Sequence, residues 1–406
     1  MHKLFALTIS ATAMVLASAL SSLAADKAIH MIRCGADSGG GTPSQNRAVA
    51  DWEAANTGFK VNVEYVPWGQ CENKAMTLAA AGNPPAVAYI GSRNLPQLMQ
   101  NDMIVPVKFT ADELSMYAPQ VIKTVTIDGE TWGIPRAFSS KALFYNKDLF
   151  SKAGLDPNSP PATWAEFVAA AKVITEKTGA MGVGIPAASF NNTMHQFLDL
   201  VYSNGGSVLN DKGEVVFNSP NNIEAMRLVK DLVPYAQPGP IAYDRVKLSP
   251  LFSEGRLAMF ISGPWERKAL PKGLNWATAP VPHGPRGKSG STLISDSLVV
   301  FKKTGVEEQA VSLVKFLTSP DNQLAYDIGQ GSMPVRFKYK TEELIAADPN
   351  WTTFFNSVEN GGPEPLVSDF IAMQDAINAA IQAVVLGESN PEDAVSTAAG
   401  KLDAAK

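Results

Sequence analysis

The sequence lacks the motifs of several common enzyme classes. Its 406 residues include only four histidines and two cysteines, and they contain no H-E-x-x-H, C-x-x-C or G-x-S-x-G pattern. Zinc hydrolysis, dithiol redox chemistry and nucleophile-elbow catalysis therefore each lack their usual residues. We expect no catalytic residue, no bound metal and no cofactor.

Clustered charge is also scarce. Only 18% of the residues are charged, the formal net charge is −5, and no run of five like charges occurs. A nucleic-acid-binding surface would take its affinity from clustered Lys and Arg. We therefore expect no nucleic-acid partner.

Beyond the first residues, no stretch approaches the roughly 20 apolar residues that a membrane-spanning helix needs. The N-terminus has a short basic start, an apolar stretch over residues 4–20 and small residues before Ala24 and Ala25. This pattern predicts a cleaved signal peptide over residues 1–25, and no lipid-anchoring cysteine follows it. We expect a periplasmic protein without a membrane anchor, and nothing in the sequence demands more than a monomer.

The two cysteines would then lie in an oxidising compartment. Cys34 ends the first predicted strand and Cys71 follows the second. If the two loops are neighbours, the cysteines can meet, and a disulfide is possible. Two buried free thiols remain the alternative.

Residues 251–266 carry the clearest local signal. An apolar run over residues 257–261 lies between Gly255 and the Gly263-Pro264 turn, which predicts a buried strand. An unbroken run suits a strand covered on both faces, as in a parallel or mixed α/β sheet. The turn delivers Trp265 at the strand's carboxyl end, where open α/β sheets bind ligands. A core position for Trp265 is the alternative.

Polar and aromatic side chains follow each of the first three predicted strands. Since the carboxyl ends of parallel strands share one edge of a sheet, we expect these side chains to lie close to one another. Asn192 and His195, at a predicted loop or helix start, could face the same cleft. Such side chains hold sugars by stacking and hydrogen bonding. The residues in the three loops are Asp37, Ser38, Trp68, Gln70, Ser92 and Arg93.

Four stretches in order resemble the extracellular solute-binding proteins of bacterial ABC importers, in the carbohydrate-binding group that includes maltose-binding protein. With the signal peptide they extend over nearly the whole chain. The stretches are residues 251–266, 142–167, 319–336 and 391–394.

The resemblance implies a two-lobed α/β fold of the type II periplasmic binding proteins, with a ligand cleft between lobes joined by a hinge of crossing segments. The crossings are expected near residues 135–138, 281–284 and 334–336. A sugar would bind in the cleft, and a membrane permease would recognise the closed form. The N-terminal lobe would comprise residues 26–136 plus 283–334, and the C-terminal lobe residues 137–282 plus 335–406.

In this family the aromatic residue after the Gly-Pro turn stacks on the sugar, and Trp265 matches that position. Gly263 belongs to the same turn, and Tyr243 matches a weaker family pattern, as do Asn192 and His195. These residues join the predicted ligand site.

Two alternatives stay open. The first is an anionic ligand, whose phosphate, sulfonate or uronate could be bound by Arg336, Arg93 and Arg136. Ion pairs between these arginines and carboxylates of the protein would explain the arginines equally well. A secreted carbohydrate-active enzyme is the rival class, because a glycosidase needs only two carboxylates and the chain has 39 acidic residues.

Overall fold

The computed structural model describes residues 27–210, 212–336 and 341–404. The predicted signal peptide lies outside these residues. The strands are β1 (Lys27–Cys34), β2 (Phe59–Val66), β3 (Val87–Gly91), β4 (Thr126–Ile127), β5 (Glu130–Thr131), β6 (Ile134–Ser139), β7 (Ala142–Asn146), β8 (Met259–Ser262), β9 (Trp276–Ala279), β10 (Thr292–Val300) and β11 (Gly362–Pro363).

Helices fill most of the chain between these strands. The α-helices are α1 (Thr42–Ala55), α2 (Trp68–Ala80), α3 (Leu95–Gln100), α4 (Ala111–Ser115), α5 (Pro119–Lys123), α6 (Lys147–Ala153), α7 (Trp164–Thr178), α8 (Asn191–Ser203), α9 (Pro220–Leu232), α10 (Arg245–Ser253), α11 (Glu266–Ala269), α12 (Glu307–Leu317), α13 (Pro320–Gln330), α14 (Thr341–Ala347), α15 (Trp351–Asn356), α16 (Phe370–Val385) and α17 (Pro391–Ala404). Short 3₁₀ helices cover Ser92–Asn94, Val233–Tyr235 and Pro240–Ala242. None of these described helices combines the length and apolarity needed to cross a membrane.

The first lobe is built on a six-stranded sheet. Its order is β11-β10-β3-β1-β2, and β6 also pairs with β10. Strand β1 runs parallel to both β2 and β3, whereas β10 runs antiparallel to β3. The sequence β1-α1-β2-α2-β3 therefore brings the carboxyl ends of three strands to one edge, as the strand pattern predicts.

The second lobe is built on a smaller sheet of order β8-β7-β9, in which every pairing is antiparallel. On the other side of β8, Met181 forms an isolated parallel bridge with Leu257, so residues 257–261 have both antiparallel and parallel neighbours, as expected for a mixed sheet. Met259 and Ile261 face the second-lobe core, and Phe260 faces a separate cluster that contains Phe144 and Phe252. Two apolar clusters, rather than strand–helix–strand crossovers, cover both faces and explain the unbroken apolar run.

The chain passes between the two sheets at Ser140–Lys141, which join β6 to β7, and over residues 280–291, which join β9 to β10. Near the first crossing, Phe138 forms an isolated antiparallel bridge with Met333. Apolar side chains of the segments between the lobes, including Phe138 and Val335, pack in the same cluster as Phe260. The exact lobe boundaries remain a prediction.

Cys34 and Cys71 form a disulfide. It joins the last residue of β1 to the first turn of α2, and both residues are fully buried. The bond therefore fixes the start of α2 against the edge of the first sheet.

Candidate ligand-binding site

A cavity of about 250 Å³ lies between the lobes. The first lobe lines it with side chains from α2, β3 and β10. The second lobe contributes the starts of α8 and α10 and the turn after β8. Ser139 and Lys141, at the first crossing between the sheets, complete the wall.

The rims of the two lobes touch each other. A Cβ atom at Gly69 on α2 would lie 3.7 Å from the ring of Phe190, which precedes α8. The Lys268 ammonium of the second lobe donates to the carbonyl oxygens of Ile328 and Gly329 at the end of α13, the latter at 3.1 Å. Because α13 packs on α1 of the first lobe, these contacts hold the cleft closed.

Helix α2 presents two side chains to the cavity. Trp68 is its first residue, is 48% exposed, and meets the ring of Tyr89 edge-on at 5.4 Å between centroids. Glu72 follows one turn later and therefore lies on the same face of the helix. The disulfide at Cys71 anchors this turn.

An ion cluster around Arg93 links the two lobes. Glu72 binds one guanidinium nitrogen with both oxygens, at 2.7 and 2.8 Å. The other nitrogen lies 3.3 Å from Glu364 and 3.6 Å from Asp296. Nε2 of His195, on α8, lies 2.6 Å from the same Glu364 oxygen. The cluster thus surrounds one buried arginine with three carboxylates.

Burial and neighbouring charges shift the pKa values of the carboxyl groups in this cluster in opposite directions. Burial alone would raise the pKa of Glu364, but the positive charge of Arg93 and the neighbouring His195 hold that pKa below its usual value. Burial lowers the pKa of His195, so its imidazole is neutral at pH 7. Burial also raises the pKa of Asp296 to about 6, despite the opposing charge of Arg93.

Asp296 and Tyr89 form a polar pair on the first-lobe wall. The Tyr89 hydroxyl donates to Asp296 Oδ2 at 2.8 Å, and both residues line the cavity. Burial raises the pKa of the Tyr89 phenol well above its ordinary value, so the phenol stays a donor. The Asp296 carboxyl can therefore accept hydrogen bonds from ligand hydroxyls.

Trp265 forms the opposing wall, directly after β8. Lys141 Nζ lies 4.6 Å and Arg245 Cζ 5.0 Å from its ring centroid. The buried indole Nε1 has no hydrogen-bond acceptor within the part of the chain that the structure describes. A Cβ atom at Gly263 would overlap the indole ring, so only glycine lets this ring fold back over the turn. Glu266 pairs with Arg245 at 3.4 Å.

The structure brings together part of the predicted site. Gly263 lies directly against the Trp265 ring. The Asn192 side chain accepts from the Arg245 backbone N–H at 3.2 Å and so ties α8 to α10. The predicted residues that line the cavity are Trp68, Arg93, Asn192, His195 and Trp265. The predicted residues that do not line it are Asp37, Ser38, Gln70, Ser92, Arg136, Tyr243, Gly263 and Arg336.

The glycine loop after β1 packs away from the cavity. A Cβ atom at Gly40 would overlap the Gly329 carbonyl oxygen at the end of α13, so this run serves a close backbone contact between loop and helix. Asp37 and Ser38 are exposed in that loop, and Gln70 is exposed on α2.

Two of the predicted arginines serve the end of a helix. Arg136 donates to the Leu317 carbonyl at 2.7 Å, and Arg336 donates to the Thr318 carbonyl at 2.6 Å. Both are buried, and they satisfy carbonyls that helix α12 leaves unpaired at its C-terminus. The structure therefore does not bring Arg93, Arg136 and Arg336 together as one anion site.

The remaining two residues are structural. The Ser92 hydroxyl bonds to Ser297 of β10 at 2.8 Å inside the first lobe. The Tyr243 carbonyl accepts the backbone N–H of Ala187 and of Ala188, both at 2.9 Å, and its ring packs on the cluster that contains Phe260.

Sequence reasoning missed five titratable residues of the cavity. Glu72 could have been found, because it follows Trp68 by four residues on a predicted helix. The others carry no motif. Two lie on strands, one at a crossing and one at a helix start, and all four acquire their positions only through tertiary packing. The missed residues are Glu72, Tyr89, Lys141, Arg245 and Asp296.

Two α/β lobes that close on a cavity lined by aromatic, amide and carboxylate side chains define a two-lobed protein that captures a small molecule. The model for the bacterial extracellular solute-binding protein family matches residues 47–353, and the chain belongs to this family. The resemblance and the two-lobed fold expected from the sequence are confirmed.

Known proteins agree with this assignment over most of the chain. The maltose-bound MalE3 of T. maritima is 26% identical, with a TM-score of 0.82 over 92% of this chain and 98% of that one. A solute-binding protein of an ABC transporter from Thermotoga lettingae TMO, bound with α-D-tagatose, is also 26% identical, with a TM-score of 0.83 over 93% and 99%. A Brucella abortus (strain 2308) protein, whose name describes it only as a binding protein, is 28% identical over 361 residues, 87% of each chain.

Proposed function

We propose that this protein is the substrate-binding protein of an ABC importer, and that it captures a sugar between its lobes and delivers it to a membrane permease. The supporting observation is the closed cavity with Trp68 on one wall and Trp265 on the other. Aromatic faces hold the C–H surfaces of sugars, while carboxylates and amides bind their hydroxyls. The solved relatives carry maltose and α-D-tagatose.

The volume of the cavity favours a small sugar. Ligand cavities commonly measure about 300–1,000 Å³, and this one, at about 250 Å³, lies near the lower limit. We therefore expect a monosaccharide or a compact disaccharide, a polyol or a small glycoside rather than a long oligosaccharide.

Closure follows from contacts with both lobes. A ligand that touches Trp68 and Trp265 together binds the closed state better than the open one and so shifts the population towards it. Under this proposal the lobes comprise residues 26–136 plus 283–334 and residues 137–282 plus 335–406. The permease would recognise the two lobes in their closed arrangement.

We also propose that the protein binds its ligand without converting it chemically. The carboxylates on the cavity wall are already engaged, Glu72 by Arg93 and Asp296 by Tyr89, which suits a fixed binding surface better than a pair of catalytic acids. We further propose that the protein acts as a periplasmic monomer without a membrane anchor, after removal of residues 1–25.

A melting-temperature screen tests the function. A ligand that binds only the folded state at about 100 times its Kd adds about 2.7 kcal/mol to the free energy of unfolding. We expect at least one small sugar or polyol to raise the Tm and to be recovered unchanged after prolonged incubation. Failure of every carbohydrate in a broad panel would refute sugar capture, and release of hydrolysis products would favour the secreted enzyme.

A further inference from the structure

One buried cation in the cavity has no carboxylate in direct contact with it among the described residues. Lys141 is 5% exposed and lines the cavity. Its ammonium donates to Ser139 Oγ at 3.2 Å and lies over the Trp265 ring. Within the described ranges 27–210, 212–336 and 341–404, no carboxylate oxygen lies within 4.0 Å of this ammonium. Burying an ammonium is costly unless a charge and hydrogen bonds compensate it.

The other two cations that line the cavity are already paired. Arg93 has Glu72, Asp296 and Glu364 around it. Arg245 lies 3.4 Å from Glu266. Among the described residues, Lys141 is therefore the cavity cation without a carboxylate oxygen within 4.0 Å.

Asp199 is the carboxyl that attracts Lys141 most strongly, but it compensates the ammonium only in part. It is fully buried, does not line the cavity, and uses Oδ1 to accept the Thr292 N–H at 2.7 Å. Burial raises the pKa of Asp199 to about 7 against the opposing charge of Lys141, so this carboxyl is only partly ionised at pH 7. Burial lowers the pKa of Lys141, as expected for an ammonium that the protein itself compensates poorly.

We propose that Lys141 binds a carboxylate of the captured ligand, so that the substrate class is an acidic sugar such as a uronate. An ammonium has three N–H donors; Ser139 takes one, and two remain for the two oxygens of one carboxylate. Cations outnumber carboxylates among the lining side chains: Arg93, Lys141 and Arg245 against Glu72 and Asp296. The Asp296 carboxyl, which accepts one hydrogen bond from Tyr89, keeps acceptor capacity for the sugar hydroxyls. This inference rests on the proposed capture of a sugar.

Titration calorimetry with matched pairs of ligands tests the assignment. The pairs are glucose with glucuronate, galactose with galacturonate and mannose with mannuronate, and glucose 6-phosphate serves as a second anion. At pH 7 and low salt we expect at least one uronate to bind tenfold or more tightly than its parent sugar. In Lys141→Gln this preference should fall to threefold or less, whereas Lys141→Arg should keep part of it.

Two further measurements separate charge recognition from damage to the fold. Lys152→Gln, at an exposed lysine of α6, should keep the wild-type preference. The wild-type preference for the uronate should decrease between 20 mM and 500 mM salt, and this readout does not depend on whether Lys141→Gln folds.

Each contrary outcome has a distinct meaning. Parent sugars that bind as tightly as every uronate would overturn the acidic-ligand assignment while leaving sugar capture intact. Preference for the sugar phosphate, or a uronate preference that survives in Lys141→Gln, would overturn the role given to Lys141. Binding of neither member of any pair would overturn this inference, whereas sugar capture itself is tested separately by the broad melting-temperature screen.

Discussion

Replacing Glu364 with glutamine would remove one charge from the ion cluster between the lobes while keeping the shape of the side chain. Glu364 is 4% exposed. Its Oε1 lies 3.3 Å from Arg93 Nη1 and 2.6 Å from His195 Nε2. We expect Glu364→Gln to lower the free energy of unfolding, because a buried guanidinium loses one of its counter-charges.

The magnitude follows from two opposing effects. At 3.3 Å and an effective dielectric constant of about 20, the attraction between Arg93 and Glu364 has an upper bound of about 5 kcal/mol. Removing the carboxylate also relieves its burial, which costs several kcal/mol. Arg93 keeps Glu72 and Asp296, so the loss should be smaller than the roughly 3–5 kcal/mol seen when a buried charge is left alone. We expect a net destabilisation of about 1–3 kcal/mol.

Urea unfolding at several pH values provides the assay. The folded-state pKa of Glu364 is held below its ordinary value, because the charge of Arg93 and the adjacent His195 ring outweigh burial. A depressed pKa gives stability that is present above the unfolded pKa of about 4.3 and is lost as the pH falls through the folded value. The difference between wild type and Glu364→Gln should therefore be largest near pH 7.5 and should shrink below about pH 4.

A surface ion pair supplies the control. Glu392 pairs with Arg227 where both side chains are exposed, so Glu392→Gln should cause no measurable change in stability. If Glu364→Gln proved as stable as wild type at pH 7.5, or if the difference persisted unchanged in acid, the cluster would not stabilise the protein in the way argued above.

Three further perturbations address other parts of the molecule. Trp265→Ala should weaken binding of the best sugar by roughly 30-fold or more, the effect of losing about 2 kcal/mol at an aromatic anchor, with little change in Tm. Asp296→Asn should raise the free energy of unfolding by at most about 3 kcal/mol at pH 8 and by little near pH 4. Burial raises the folded pKa of Asp296 to about 6, so the protonated acid favours the folded state, and this contribution to stability is lost as the pH rises through 6. Replacing Cys34 and Cys71 by serine should cost about 3–4 kcal/mol by the chain-entropy relation for a separation of 37 residues.

Each of these three has its own check. Trp132 lies outside the cavity, so Trp132→Ala should have the same sugar Kd as wild type by calorimetry. Equal losses of affinity in the two tryptophan variants would mean that Trp265 has no special role. Equal effects of Asp296→Asn at pH 4 and pH 8 in urea unfolding would contradict a carboxyl with a raised pKa. If the oxidised protein and the double serine variant unfolded at the same urea concentration, the disulfide would contribute nothing to stability.

The ligand site was predictable where it depends on chain-local signals. The Gly-Pro turn after an apolar run indicated where Trp265 lies, and Pro67 after an alternating strand did the same for Trp68. Because β2 and β3 end at the same edge of the sheet, Trp68 and Arg93 line the same cavity. The same rule failed for Asp37 and Ser38, because the close approach of Gly40 to Gly329 directs their loop against α13.

The amino-acid sequence by itself determined the alternation of strands and helices, the turns that end the strands and the family to which the chain belongs, since these depend on residues close together in the chain. Only the tertiary structure decided which charges meet. Arg136 and Arg336 bind helix carbonyls, Arg93 is surrounded by carboxylates, and the Lys141 ammonium donates to Ser139 on the cavity wall. Counter-charges come from segments up to 271 residues apart, as between Arg93 and Glu364, and no local pattern encodes that distance.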